Sequence, residues 1–254
     1  MCPYCGADPG GDRTDAPHPA APGPVLDAAT GEFRQIRSLA VFLQLAFGLF
    51  ILGTIVVILT GLAYRNGLGE LAAERPGSLS AVVRSEDNYV TASGILGGLN
   101  IFIVVAFIGW FWRSYVNLPV LDRSLRRKPG WAAGSWLIPF ANFVIPYSIG
   151  AEIWKKSRVG SPAEEDNLEP VISWWALFLI MGLVNQVAFF SSRGIDDDIE
   201  AMRAAVSVDL VGAVVSVAAA LAAARFVRLA TARQEELATA CGIELRFSGR
   251  EPTQ

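Results

Sequence analysis

A chain of 254 residues with 52% apolar residues and a mean hydropathy of +0.40 contains uncharged runs too long for an ordinary soluble domain. The formal net charge of −3 is small, so where the charges lie matters more than their sum, and no nucleic-acid partner is expected. With three cysteines and one histidine, the composition excludes a disulfide framework, a His-rich metal site and a Ser-His-Asp triad within a membrane.

Residues 1–33 are rich in Pro, Gly, Ala and Asp. Such a composition cannot bury a core, and a disordered leader is expected. Its first residues read Cys2-Pro-Tyr-Cys5, which looks like a glutaredoxin active site. That chemistry needs the first cysteine at a helix N-terminus after a strand, where its pKa is lowered, and only Met1 precedes Cys2. C-P-x-C-G is also one knuckle of a zinc ribbon. Structural zinc takes four ligands, and Cys2, Cys5, His18 and the distant Cys241 are the candidates; two chains together would supply four thiolates. A half-knuckle without a cofactor is the plainer expectation. No cleavable signal peptide is expected, since the first apolar run follows a polar leader.

Four runs then qualify as membrane spans: residues 39–64, 91–112, 171–190 and 204–226. Each is long enough at about 1.5 Å per residue to match the hydrocarbon core. A hydrophilic loop over 65–90 separates the first two, and the acidic turn SSRGIDDDIEAMR the last two. A solvated turn is the expectation for Asp196–Asp198, although such a run could hold a divalent cation. Gly94 and Gly98, and Gly212, Ser216, Ala220 and Ala224 at four-residue spacing, form small faces that permit tight helix packing. Asp209 is the acid well inside a span. It reads either as a proton or cation site or as an interfacial acid that reaches water or Arg203. Gln44, Asn100, Asn142, Asn185 and Gln186 are further polar groups at bilayer depth.

Between the second and third spans, residues 129–157 are apolar enough to enter a membrane but carry Pro139, Pro146 and Asn142. Proline removes a backbone donor and clashes with the preceding turn, which hydrocarbon tolerates only where protein satisfies the freed groups. A re-entrant or interfacial element is therefore expected, broken near 139–142 and returning as a short helix over 147–157. Asn142 is expected to bond the backbone freed around Pro139, and Arg113 to pair with Glu152 across the break. Lys and Arg concentrate before the first span, between the second and third, and after the fourth, which places both termini and this element in the cytoplasm. The tryptophans cluster at the same ends of the spans. They read as an aromatic belt at the headgroup level, or as the wall of a cytoplasm-facing pocket.

The run Trp110-x-Trp112-Arg113-x-x-x-Asn117, then PGWAAGSWLIPFAN (129–142), PY (146–147) and EIWKKS (152–157), resembles the bacterial membrane family catalogued as domain of unknown function 4328. The similarity covers roughly residues 39–226 and is densest at 110–157. It implies a multi-pass protein of the bacterial plasma membrane with no assigned activity. The family's pattern has a basic residue before the PY proline; Ile145 stands there in this chain.

The reading is an all-α, multi-pass transmembrane bundle of four spanning helices with a cytoplasm-side broken element, arranged as leader 1–33, membrane domain 34–233 and cytoplasmic tail 234–254. No catalytic constellation is visible, so an enzyme is not expected. A non-enzymatic scaffold, sensor or regulatory module is the first reading. Its partners are the lipid bilayer, a membrane protein or a second copy of the chain, and its candidate binding residues are Arg113, Asn117, Trp131, Trp136, Asn142, Tyr147, Glu152, Trp154 and Asp209. The alternative is a small solute or ion transporter using the broken helix near Asn142 and the intramembrane Asp209.

Overall fold

A computed structural model describes residues 33–121, 123–159, 167–193 and 198–243. The leader with Cys2, Cys5 and His18, the centre of the acidic turn including Asp196 and Asp197, and the end of the tail lie outside the described residues. The elements in chain order are α1 (Arg37–Ala72), α2 (Ser78–Val116), α3 (Trp131–Gly134), a single 3-10 turn (Ala141–Phe143), α4 (Ile145–Lys156), α5 (Glu169–Ser191) and α6 (Ile199–Ala240). No strand occurs among the described residues.

Each expected span lies inside one helix, and α1, α2, α5 and α6 are all long and apolar enough to cross a membrane. Their outer surfaces carry large apolar side chains such as Leu45, Ile95, Phe102 and Leu183, each about two-thirds exposed or more. So extensive an apolar surface is unusual for a protein in water, and the four helices are compatible with a multi-pass membrane protein.

The helices outrun the apolar stretches. With 42 residues, α6 extends to about 63 Å, twice the roughly 30 Å hydrocarbon core. The hydrophilic loop expected over 65–90 is replaced by residues 73–77, because α1 continues to Ala72 and α2 begins at Ser78. Apolar residues at helical spacing explain the difference. Tyr64, Leu68, Val82 and Val206 form a buried cluster joined by Leu71, Tyr89, Ile199, Met202 and Leu210. The tight connection uses a left-handed backbone at Gly77, with φ of 80°, where a side chain would be strained.

The chain divides into two compact units, both of which draw on α2 and α6. The first holds the described residues of Met1–Ser38, Ile108–Leu168 and Leu229–Gln254. The second holds Leu39–Phe107 and the described residues of Glu169–Arg228.

Within the second unit, polar and aromatic contacts fix the helices side by side. The Gln44 amide donates to the Ala224 carbonyl at 2.8 Å, tying α1 to α6. Trp174 of α5 stacks on Phe226 of α6 with ring centres 4.7 Å apart and packs against Phe107 of α2. Gly61 lets three helices approach: a Cβ there would stand 3.0 Å from both Leu210 and the Tyr89 ring. The Gly61→Ala variant is accordingly expected to lose about 1–3 kcal/mol of stability. Gly53→Ala should lose less, since its Cβ would meet only the mobile end of Leu96. Thermal unfolding of the two variants in the same detergent measures this, and equal melting temperatures would reject the close three-helix approach. The small faces differ. Gly212 packs near Asn185 and Val184, whereas a Cβ at Gly94, Gly97 or Gly98 would meet nothing within 4 Å. The α2 face expected to pack tightly is therefore open within this chain.

Candidate functional site

The expected binding residues, Asp209 apart, belong to the first unit. There the last turns of α2 and the residue after it present Trp110 and Asn117 to the last turns of α6, Tyr115 to α4 and Phe111 to Trp136. Two buried polar centres result.

Asn117 and Gln234, both 0% exposed, form the first. The Asn117 amide oxygen accepts the Arg34 N–H at 2.9 Å, while its NH2 group donates to the Arg34 carbonyl at 2.8 Å and to Gln234 Oε1 at 3.2 Å. Gln234 in turn donates to the Ser114 carbonyl at 2.9 Å and to Ser157 Oγ at 3.2 Å. One side-chain amide thus clasps the backbone ahead of α1, a second locks α6 to α2 and α4, and both are satisfied where an unpaired amide would be costly. The guanidinium of Arg34 lies over Trp112 at 4.9 Å.

Glu152 is the second centre, its side chain 3% exposed. Its carboxylate accepts the Tyr115 hydroxyl at 3.0 Å, the Arg126 N–H at 2.9 Å and the Lys156 ammonium at 2.7 Å. Tyr115 follows the apolar stretch that ends at Trp112. Burial and the adjacent Glu152 carboxylate push its hydroxyl up from the usual tyrosine range, which keeps it protonated and donating. The same oxygen accepts the Arg127 N–H at 3.1 Å, and Lys156 also donates to the Ser124 carbonyl. Three backbone bonds therefore fix the loop 123–128, while Arg126, Arg127 and Lys128 stay exposed. The expected Arg113–Glu152 pair is replaced by these partners. Lys156, one helical turn from Glu152 on α4, and the loop backbone occupy the carboxylate.

The broken element follows. Its break and its return helix, α4, appear where the two prolines suggest, with Pro146 in the first turn of α4, where its missing N–H costs nothing. The groups freed near Pro139 are satisfied by the backbone itself, not by the Asn142 side chain. Ala141 donates to the Pro139 carbonyl at 2.8 Å, Asn142 to Ile138 at 3.0 Å and Phe143 to Phe140 at 3.1 Å. The Asn142 side-chain oxygen is buried without a hydrogen-bond partner. Phe140 takes a left-handed backbone with φ of 65°, a strain uncommon for a bulky residue. Trp136 packs edge-on against Phe111 at 5.8 Å and donates to the Ala132 carbonyl at 3.1 Å.

Most tryptophans do not form a surface belt. Trp110, Trp154, Trp174 and Trp175 are all less than 9% exposed. Trp110 donates to Thr231 Oγ1 at 3.0 Å, and Trp154 donates to the Asn167 carbonyl at 2.9 Å beneath the Arg233 guanidinium, 3.6 Å from its ring centre. Trp110 and Trp154 have thus found internal partners for their N–H groups, which removes their reason to seek the headgroups. Trp131 is the exception at 38% exposed. Tyr147 opens α4 half-buried, and Arg113 is likewise half-buried on α2.

Asp209 stands apart in the second unit. Its carboxylate accepts the Tyr89 hydroxyl at 3.1 Å. Arg203, its expected partner, instead binds Glu200 at 2.8 Å, which one helical turn of separation favours. Among the described residues no three His, Cys, Asp or Glu side chains converge to hold a metal ion.

Tyr115, Gln234 and Tyr89 were not singled out by the sequence, and Lys156 and Ser157 entered only within the word EIWKKS, yet all five complete these polar centres. No curated protein and no solved structure matches the chain. A family model does, over residues 73–232, which takes in α2 to α5, most of α6 and the Glu152 centre with Asn117, but leaves out α1, Arg34 and Gln234. That match spans well over half of the sequence, and the chain belongs to the family described as "Domain of unknown function (DUF4328)".

Proposed function

We propose that the chain is a non-enzymatic scaffold or regulatory module of the bacterial plasma membrane. It crosses the bilayer four times with both termini in the cytoplasm, and rests its broken element in the cytoplasmic leaflet as a re-entrant or interfacial anchor. The distribution of Lys and Arg supports the orientation. One observation carries the anchor. Among the described residues of the first unit, the large apolar side chains left exposed are Trp131, Leu137, Ile138, Phe140, Phe143 and Val144, all within the broken element. Leu137 and Phe140 are each 83% exposed. Moving such a side chain out of water is worth about 1.5–3 kcal/mol, so this tip is suited to hydrocarbon. Its depth agrees, because Trp136 rests on Phe111, beside the end of the apolar stretch of α2.

The transporter alternative has one observation in its favour, the unpartnered Asn142 oxygen. Against it, Asp209 is engaged by Tyr89.

The anchor is tested with an environment-sensitive fluorophore at Phe140→Cys, in a background with Cys2, Cys5 and Cys241 replaced by serine, reconstituted in vesicles. Expected are quenching by brominated lipid and protection from iodide, with the reverse for a label at Arg84→Cys, on the exposed polar start of α2. Equal iodide quenching at both positions would show the tip in water and end the proposal.

A further inference from the structure

We propose that Arg126, Arg127 and Lys128 form a preorganised site for the phosphate of an anionic phospholipid headgroup. The inference rests on the membrane reading above and names the ligand class of the basic loop beside the anchor.

An ordinary basic loop loses conformational freedom when it meets an anion, and that cost weakens binding. Here the cost is met in folding. Glu152 Oε1 accepts the Arg126 N–H, the Tyr115 hydroxyl oxygen accepts the Arg127 N–H, and the Lys156 ammonium donates to the Ser124 carbonyl. A buried carboxylate thus holds the loop through its main chain and leaves three consecutive cationic side chains outside. Had Glu152 paired with those side chains directly, it would have neutralised them. Among the described residues, Lys156 is the cation paired with it.

Depth identifies the source of the phosphate. Tyr115 lies three residues beyond Trp112, about 4.5 Å along the helix. The polar headgroup layer occupies roughly the first 5–8 Å outside the hydrocarbon. The Arg127 backbone is bonded to that tyrosine, so the loop sits at headgroup depth. The apolar tip at 137–144, in the same unit, holds it there. Cations and exposed apolar side chains together are what an anionic bilayer surface recognises.

The test uses the purified full-length protein in mild detergent, following thermal unfolding and retention of added lipid by native mass spectrometry. Phosphatidylglycerol is expected to raise the melting temperature and to be retained, phosphatidylcholine and inorganic phosphate to do neither, and added salt to weaken the effect. The triple variant Arg126→Gln/Arg127→Gln/Lys128→Gln changes exposed side chains only, and should bind phosphatidylglycerol at least about tenfold more weakly. Arg84→Gln should bind as the native chain does. Glu152→Gln keeps every cation but lengthens or breaks the Arg126 bond; an intermediate, several-fold loss is expected if it folds, and the triple variant decides the matter if it does not. Equal retention of phosphatidylglycerol and phosphatidylcholine, undiminished binding by the triple variant, or saturable stabilisation by inorganic phosphate alone would each overturn the lipid site. Those results would leave the anchor standing if the Phe140 label were still quenched by brominated lipid, so the two proposals fail separately.

Discussion

Replacing Glu152 by leucine is expected to lower stability by about 3–5 kcal/mol, the usual cost of removing one partner from a buried charge pair. The carboxylate has three donors, from Tyr115, Arg126 and Lys156, and its side chain is 3% exposed. Leucine fills the space but takes the carboxylate acceptor from a buried hydroxyl, a backbone N–H and an ammonium, leaving Tyr115 only its longer bond to the Arg127 carbonyl and Lys156 its bond to the Ser124 carbonyl. Lys156→Met should cost clearly less, because Lys156 is 20% exposed and Tyr115 and Arg126 still satisfy Glu152. Denaturant unfolding of the two variants in one detergent makes the comparison. A Glu152→Leu protein as stable as the Lys156→Met protein would mean that the carboxylate is not the organising group of the loop.

For Asn117→Leu the expected loss is about 2–5 kcal/mol, from two or more buried groups left unpaired at roughly 1–3 kcal/mol each. Its amide holds both backbone groups of Arg34 and the Gln234 oxygen. Two other asparagines serve as references. Asn88 is exposed on α2 and should tolerate leucine. Asn142→Leu removes an oxygen that has no partner, so its melting temperature should stay near that of the native protein or rise. A fall at Asn142 as large as at Asn117 would mean that the Asn142 side chain carries bonds equivalent to the clasp.

The four long helices were legible because unbroken apolar runs of bilayer length have few alternative folds. The break at 139–146 was legible for a similar reason, since two prolines and an asparagine interrupt one such run. Helix ends were not. Beyond residue 64 polar residues appear, but Leu68, Leu71, Val82 and Tyr89 keep the helical period and find a shared core, and that long-range packing is invisible in hydropathy. The family word pointed to Asn117, Glu152 and Trp154, which are indeed buried and bonded. Their partners escaped because the residue types mislead locally. Gln234 sits between Arg233 and Glu235 and reads as part of a solvated face. Tyr115 reads as an interfacial aromatic, and Lys156 as one more positive charge. Charge complementarity suggested Arg113 for Glu152, yet the carboxylate is taken by a residue one turn away on its own helix and by backbone donors no pairing rule counts. The tryptophan count was informative about position along the chain, not about which way the indoles face.

The cluster of Leu121, Leu237 and Ala238 is packed by Phe33 from the start of the described chain and by Cys241 and Ile243 from its end. A consequence is parity. Under the proposed insertion, two segments that touch the same few side chains would emerge on one side of the bilayer, and the number of crossings between them would be even. An insertion that added or removed a single crossing would then have to give up these contacts.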